Sequence, residues 1–337
     1  MFNKINKIKR PLIIAEISGN HNGNKKSFLN HIKEAAKNGA DLIKIQTYEP
    51  EDITIKSVAE KFKLKNKIWK NQSLWELYKK AHTPFSWHHD AFKIANKLNI
   101  PIFSSPFSKR AVDFLERLNV KLYKIASFEI TDLELIDYVA RKKKLIIIST
   151  GMANLKEIQK AIDCIKRYHN KIVILYCVSG YPSPEEEINL NTIKKIQKKF
   201  KGIDIGLSDH TNDIYSSFAA VNFGVRFIEK HFIISKKNKT LDQEFSIDKK
   251  QLRMLRKGIE KIFKSLGSEK IGTKKIEKNS LKLRRSVYAI KDIKIGDKFS
   301  RSNIANFRPK IGLGSEHFPR LIGKKSKKNF KKNSPIR

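Results

Sequence analysis

Phe227-Ile-Glu-Lys-His-Phe232 decides how the chain folds. Apolar residues at 227, 228 and 232 make a short strand, yet its second half carries Glu229, Lys230 and His231. Ionisable groups at the carboxyl end of a buried strand are expensive unless they are paired or put to use. About twenty residues earlier, Asp204-Ile-Gly-Leu-Ser-Asp-His210 repeats the form: an apolar run ending in Ser208, Asp209 and His210. Two neighbouring strands that each end in histidine can direct two imidazoles at one metal ion.

Working outward, six further apolar runs precede these two: Leu12–Ser18, Asp41–Thr47, Ile100–Ser105, Leu122–Ser127, Leu145–Thr150 and Ile172–Val178. Helical spacing follows each, from Ser27–Asn38, which stops at Gly39, to Lys249–Leu266 after the last. A longer excursion, Glu49–Ser73, and the helices Leu74–Ala81 and Phe85–Leu98 separate the second and third strands. Near-continuous apolar strands are buried on both faces. Eight β-then-α units over about 250 residues predict an α/β (β/α)8 TIM barrel. An open doubly wound sheet is disfavoured, because Gly19 and Gly23 do not form the G-x-G-x-x-G phosphate fingerprint after the first strand.

Polar residues gather at the carboxyl ends of seven of the eight strands: Glu16, Lys44 and Gln46, Ser104 and Ser105, Lys124 and Ser127, Ser149 and Thr150, Ser208–His210, and Glu229–His231. In a barrel those ends ring one mouth, where barrel enzymes hold their active sites. Any one serine there fits a cap or a solvated strand end; seven ends together do not. Lys44 and Lys124 at the mouth call for an anion, with hydroxyl donors at Ser105, Ser127, Ser149 and Ser208. A Schiff-base lysine is the alternative. A lone His210 or His231 fits a structural role; the pair suits a divalent Lewis acid. Glu16 and Glu129 add candidate acid/base groups.

The 337-residue chain has room for a barrel plus a small domain, and 40% hydrophobic residues exclude a disordered chain. There is no run of about 18 apolar residues, hence no membrane span. The apolar run after the basic start is cut at Glu16, too short for a signal peptide. Two cysteines, Cys164 and Cys177, fit a reducing cytoplasm. The net charge of +38 raises a polyanion-binding alternative. The lysines are scattered over helix faces without interleaved aromatics, so no specific nucleic-acid partner is expected. Residues 1–266 read as the barrel, 267–283 as a polar, lysine-rich linker and 284–337 as a small second domain. Within it, Arg285–Asp297 reads as two short strands joined by a turn, and the stretch from Lys324, with seven basic residues and no acid, as a solvated tail.

Seven motifs taken in order resemble the sialic-acid synthases: Ile14-Ala-Glu-Ile-Ser-Gly-Asn-His-Asn-Gly23, Lys44-Ile-Gln-Thr47, Phe103-Ser-Ser-Pro-Phe107, Tyr123-Lys-Ile-Ala-Ser127, Ser149-Thr-Gly-Met152, Gly206-Leu-Ser-Asp-His-Thr211 and Glu229-Lys-His-Phe232. Arg284–Pro309 resembles their antifreeze-like (SAF, β-clip-like) domain. The resemblance implies condensation of phosphoenolpyruvate (PEP) with an N-acylated amino-sugar to a nine-carbon acid and phosphate, in the service of cell-surface polysaccharide or flagellin glycosylation. It implies that Lys44, Ser105, Lys124, Ser127, Ser149 and Ser208 hold PEP and that His210 and His231 bind Mn2+ or Mg2+. It further implies that Gln46, Glu129, Tyr181 and Asp242 contact the sugar, that Glu16 lies near the reacting centre, and that Arg308 reaches the partner's barrel in a domain-swapped homodimer. At Ser105 many members carry threonine; the hydroxyl is kept. Leu74-Trp-Glu-Leu-Tyr-Lys-Lys-Ala-His-Thr-Pro-Phe-Ser-Trp-His88 is similar to a segment of the pseudaminic acid synthases, which take a 2,4-diacetamido-2,4,6-trideoxy-L-altrose. N-acetylneuraminate and legionaminic acid synthases share the chemistry with other amino-sugars. A 3-deoxy-heptulosonate synthase or a metal aldolase is the remoter enzyme alternative, and the small domain argues against both.

Overall fold

The computed structural model describes residues 7–57, 59–64, 72–237 and 239–337. Eight parallel strands close on themselves in chain order: β1 (Leu12–Glu16), β2 (Leu42–Thr47), β3 (Ile102–Pro106), β4 (Leu122–Ile125), β5 (Leu145–Ser149), β6 (Ile172–Cys177), β7 (Asp204–Asp209) and β8 (Phe227–His231). β1 seals the barrel against β8, with Glu16 level with His231, and pairs on its other side with β2, with Glu16 level with Lys44. Isoleucine dominates the strands, and nearly every strand residue is buried, as a parallel sheet sheathed in helices requires.

The helices are α1 (Lys25–Lys37), α2 (Leu74–Ala81), α3 (Phe85–Lys97), α4 (Lys109–Arg117), α5 (Leu133–Ala140), α6 (Leu155–Lys166), α7 (Thr192–Lys199), α8 (Tyr215–Val221) and α9 (Lys249–Leu266). Side-chain caps set several of their starts. The Asn24 side chain accepts from Ser27 N, and Ser73–Glu76, Asn154–Glu157 and Asp248–Gln251 form capping boxes. Gly39 follows α1 at φ +113°, where a Cβ would lie 2.8 Å from Arg256 Cβ, so glycine there answers both a backbone and a packing demand.

Six of the expected strand ends run one or two residues long, several because polar residues leave the ladder to turn into the mouth; β2 ends at Thr47 as expected, and β3 runs one residue further, to Pro106. Ser18 has φ +43°, Ser127 opens a 3-10 turn (Ser127–Glu129), and His210 lies past β7. The expected helices at Asp132–Arg141 and Asn154–Tyr168 likewise took in their caps. Of the Glu49–Ser73 excursion, the described parts hold the 3-10 turns Pro50–Asp52 and Glu60–Phe62; residues 58 and 65–71 lie outside the described residues. Both cysteines are free, and among the described residues no helix is long and apolar enough to cross a membrane.

The chain divides into two compact units, Met1–Gly267 and Ser268–Arg337. The second has its own small core of Val287, Ala289, Ile293, Phe299, Ile304 and Ile336. Its strand β9 (Ser286–Ala289) runs antiparallel to β10 (Ile304–Phe307), and a short helix α10 spans Phe318–Leu321. The expected hairpin within Arg285–Asp297 is therefore corrected: β9 pairs with β10, and Ile293 makes only an isolated bridge to Phe330. Asp297 accepts from Lys294 N and bends the chain locally, which competes with a second strand.

The expected solvated tail from Lys324 is also corrected. Phe299 N donates to Lys324 O (2.9 Å), Ile293 N to Phe330 O (2.8 Å), Ala289 N to Ser334 O (3.0 Å) and Ile336 N to Val287 O (2.9 Å). Ile336 is 1% exposed. The lysines face water while widely spaced residues anchor the backbone, so a charge count misjudges the segment. Deleting residues 324–337 should unfold the second unit and leave the barrel intact. Limited proteolysis with mass mapping reads this; a protease-resistant second unit in the truncated chain contradicts it.

Candidate active site

Strand alternation sorts the polar residues at the mouth into two faces. Lys44 on β2 lies 2.9 Å from Glu16 Oε2 on β1 and 2.8 Å from Glu229 Oε1 on β8. A contact that spans three consecutive strands lies inside the barrel. All three residues are buried. Burial alone would lower the lysine pKa, but the two carboxylates outweigh it and hold the ammonium charged. Burial raises Glu16, and Lys44 offsets this only in part. For Glu229 burial is overcome by the charges of Lys124 and Lys44, which pull the carboxyl down. Ser208 donates to Glu229 Oε1 at 3.3 Å.

Lys124 differs from Lys44. It is 1% exposed, its Nζ donates to Ile125 O at 3.3 Å, and it has no carboxylate within ion-pair distance among the described residues. Burial lowers its pKa to about 8, with Glu229 opposing. The hydroxyls of Ser105 and Ser149 are buried without a partner among the described residues. Unpaired buried donors are costly, so they mark where a ligand supplies acceptors. Lys44 and Lys124 meet Glu16 and Glu229 in this buried interior. A buried cation and two free hydroxyls make an oxyanion cradle. Ser127 sits beside it, accepting from Gly151 N at 3.1 Å and donating to Cys177 Sγ at 3.4 Å. Gly151 is required there: a Cβ would lie 2.0 Å from Ser179 Oγ.

The rings of His210 and His231 are 5.4 Å apart. His210 Nδ1 is 2.9 Å from Val178 O, and a carbonyl only accepts, so Nδ1 carries the proton and Nε2 keeps its lone pair. His231 Nδ1 is 3.5 Å from Asp242 Oδ2, near enough for an ion pair but without a hydrogen bond among the described residues. Burial raises Asp242, but the adjacent His231 outweighs it and lowers the carboxyl. Tyr181 packs 4.4 Å from His210 and Phe245 4.9 Å from His231, centroid to centroid. Among the described residues no cluster of three or more ligating side chains stands together. Two imidazole rings side by side fit a divalent ion whose remaining ligands are water and substrate oxygens.

Gln46, half-buried on β2, is level with Ser105 on β3. Glu129 closes the turn after β4; burial raises its pKa to about 7 against the opposing Lys124 charge, and its Oε2 is buried without a partner among the described residues. The fold thus gathers Glu16, Lys44, Gln46, Ser105, Lys124, Ser127, Glu129, Ser149, Tyr181, Ser208, His210, His231 and Asp242 at one end of the barrel. Arg308 stands on the second unit, exposed, on a depression of about 400 Å3 with Arg284, Arg285 and Lys310.

Three expected mouth residues point away from it. Asp209 and Lys230 form a fully buried pair, 3.0 Å apart, in the layer between strands and helices, with Thr211 and Ser217 completing their hydrogen bonds. Ser104 Oγ lies there too, 3.0 Å from Ile45 O and 2.6 Å from Thr47 Oγ1. Each sits one residue from a mouth residue, and period-2 alternation reverses its side. Cys177, by contrast, faces inward between Ser127 and His210 at the end of β6, the one strand without an expected polar end. A thiol counts as apolar in a hydropathy pattern, so only its position, level with Ser208, signals it.

Comparison with known proteins agrees with this geometry. The NeuB family model matches residues 31–271, and the SAF domain model matches residues 284–337. The pseudaminic acid synthase of Helicobacter pylori is 41% identical over 335 residues, covering 98% of this chain and 97% of that protein. The N,N'-diacetyllegionaminic acid synthase of Campylobacter jejuni is 36% identical over 335 residues, covering 98% of this chain and 100% of that protein. The crystal structure of N-acetylneuraminic acid (sialic acid) synthetase from Leptospira borgpetersenii in complex with citrate superimposes with a TM-score of 0.72 at 30% identity, covering 81% of this chain and 91% of that one. With a family match over most of its length and a relative at 41% identity, the chain belongs to the NeuB family.

Proposed function

We propose that the protein is a pseudaminic acid synthase, which joins PEP, 2,4-diacetamido-2,4,6-trideoxy-L-altrose and water into pseudaminic acid and phosphate. The observation that carries this is the buried cradle of Lys124, Ser105 and Ser149 beside the His210–His231 pair: an oxyanion site next to a Lewis-acid site. Higher identity to a pseudaminic than to a legionaminic acid synthase supports the choice of sugar.

In this reading Lys124, Ser105, Ser127, Ser149 and Ser208 hold the PEP oxyanions, with Lys44 fixed behind them by its carboxylates. His210 and His231 hold Mn2+ or Mg2+, which when bound polarises the aldehyde oxygen of the open-chain sugar. Gln46, Glu129, Tyr181 and Asp242 orient the sugar so that its aldehyde carbon meets C3 of PEP. Water adds at C2, and loss of phosphate by C–O cleavage completes the balance. Glu16 and Glu129, both raised by burial, are the groups able to give or take the protons of these steps. Excluding bulk water until the sugar arrives protects PEP.

The direct test is mass spectrometry of products from PEP and a panel of amino-sugars. A nine-carbon acid from the altrose derivative, at higher kcat/KM than from N-acetylmannosamine or the legionaminic precursor, is expected; no phosphate release with any sugar refutes the synthase reading. Chelation should abolish turnover and Mn2+ restore it. His231→Ala should lose Mn2+ affinity by calorimetry while its circular dichroism stays unchanged.

Lys124→Ala should raise the KM for PEP by about tenfold to a hundredfold, since a charge-assisted hydrogen bond is worth roughly 1.5–3 kcal/mol. The pH dependence follows from the same residue. Burial lowers Lys124 to about 8, so the anion-binding ammonium is present below that pH and lost above it. The kcat/KM for PEP should therefore fall on an alkaline limb near 8. Lys124→Arg, charged throughout, should move that limb upward; an unmoved limb assigns it to another group.

For Arg308 we infer action on the sugar in the partner's barrel of a domain-swapped homodimer. A planar guanidinium bonds two sugar oxygens at once. At PEP well below the KM of Lys124→Ala, where that barrel is nearly silent, mixing Arg308→Ala with Lys124→Ala subunits should restore one working site per heterodimer. Subunit exchange seen by native mass spectrometry without recovered activity rules that arrangement out.

A further inference from the structure

His88 lies in the first turns of α3 and is wholly buried. Its Nδ1 is 3.1 Å from Pro84 O. A carbonyl only accepts, so Nδ1 carries the proton; burial lowers the pKa to about 4 and keeps the ring neutral. Nε2 is then an acceptor. It lies 2.8 Å from Thr47 Oγ1, which must donate to it. Having given its one proton to His88, Thr47 Oγ1 accepts from Ser104 Oγ at 2.6 Å. The chain runs in one direction: Ser104 to Thr47 to His88 to Pro84. Ser104 has an alternative acceptor for that proton, Ile45 O, at 3.0 Å; with Ser104 donating to it, Thr47 has His88 alone as acceptor among the described residues.

The position of this chain gives it a role. Thr47 and Ser104 face away from the mouth, and the next residues, Gln46 and Ser105, are level with each other across β2 and β3. Gln46 is on the sugar side and Ser105 on the PEP side. A second neutral imidazole grips the same segment from the other end. His21 Nδ1 accepts from Gly23 N at 3.1 Å, which puts its proton on Nε2, 3.3 Å from Thr83 Oγ1. Between them these two rings fix the turn that follows α2. That helix places Tyr78 edge-on against Tyr48, the residue after Thr47, at 6.0 Å between centroids.

We propose that His88 is a positioning residue for the amino-sugar. It fixes the end of β2, and with it Gln46, and docks the Leu74–Trp87 segment onto that strand. PEP binding is spared, because Ser104, behind Ser105, can turn its proton to Ile45 O when the chain to His88 is cut. This rests on the sugar-side reading of Gln46.

Steady-state kinetics with each substrate varied at saturating partner tests it. Thr47→Val removes the donor and leaves His88 in place. His88→Asn keeps a donor for Pro84 and loses the acceptor for Thr47; His88→Gln puts an amide oxygen near the lost Nε2. Thr47→Val and His88→Asn should each raise the KM for the sugar about tenfold, with kcat and the KM for PEP changed by less than about twofold. The double variant should be no worse than either single one, since both cut the same bond. His88→Gln should recover most of the loss. Should His88→Asn fail to fold, Thr47→Val decides alone. Equal rises in both KM values, or an unchanged sugar KM in folded Thr47→Val, overturn the proposal. Gln46→Ala separates the two claims. If it leaves the sugar KM unchanged, the sugar-side reading fails; if it raises that KM while Thr47→Val and His88→Asn do not, only the positioning role fails.

Discussion

Lys44 between Glu16 and Glu229 is the contact on which the mouth depends. Three buried charges on β2, β1 and β8 bridge the seam where the barrel closes. Removing one partner of such a group leaves a charge buried without compensation, at roughly 3–5 kcal/mol. The trio also sets the electrostatics of its neighbours. Because Lys44 is already neutralised, Lys124 is the cation left for an incoming anion. Because Glu229 is held ionised, Ser208 is oriented by it, and Lys124 keeps a counter-charge nearby without being paired. Lys44, whether or not it also meets the anion, is the residue that ties these strands together.

The same geometry explains what was legible in the sequence. Eight apolar runs, each followed by helical spacing, suffice for the barrel, because burial on both faces writes a continuous signal. The site was legible as a set, since polar residues in an otherwise apolar run have few other reasons to be there. Its two faces were not. Ser104 and Ser105, or Asp209 and His210, are adjacent and chemically alike in the sequence, and only the register shows that one serves the helix layer and the other the mouth. Cys177 was hidden for the opposite reason: its chemistry is polar enough for the site, but its hydropathy matches the core around it. In the second unit, anchors such as Phe330 and Ile336 are too widely spaced among lysines to give a period, so the ladder that holds them is invisible until the backbone is seen.

Stability and function draw on different buried polar groups. Asp209 and Lys230 are paired and their hydrogen bonds filled; Arg10 and Asp41, joined by two short bonds at the opposite end of the barrel, are similar. These sites are complete without a ligand. The free hydroxyls of Ser105 and Ser149, the free Oε2 of Glu129 and the unpaired Lys124 are incomplete. A fold that leaves several such groups unsatisfied in one place loses several kcal/mol that a ligand can restore. That concentration distinguishes the mouth from the rest of the core more clearly than any single residue type does.

The surface charge follows another rule. At +38 the exterior field is strong near the protein, yet exposed charges are screened beyond about 8 Å at physiological salt. Such a field can raise the encounter rate of a polyanionic substrate such as PEP, but it falls as salt rises and cannot tell one anion from another. Selection has to come from charges that salt does not reach. Lys44, Lys124, Glu16 and Glu229 are all nearly inaccessible to solvent, so their mutual interactions are weakly screened and persist at any ionic strength. Under the proposed function, surface charge would act on how fast anions arrive, and the buried quartet on which one stays.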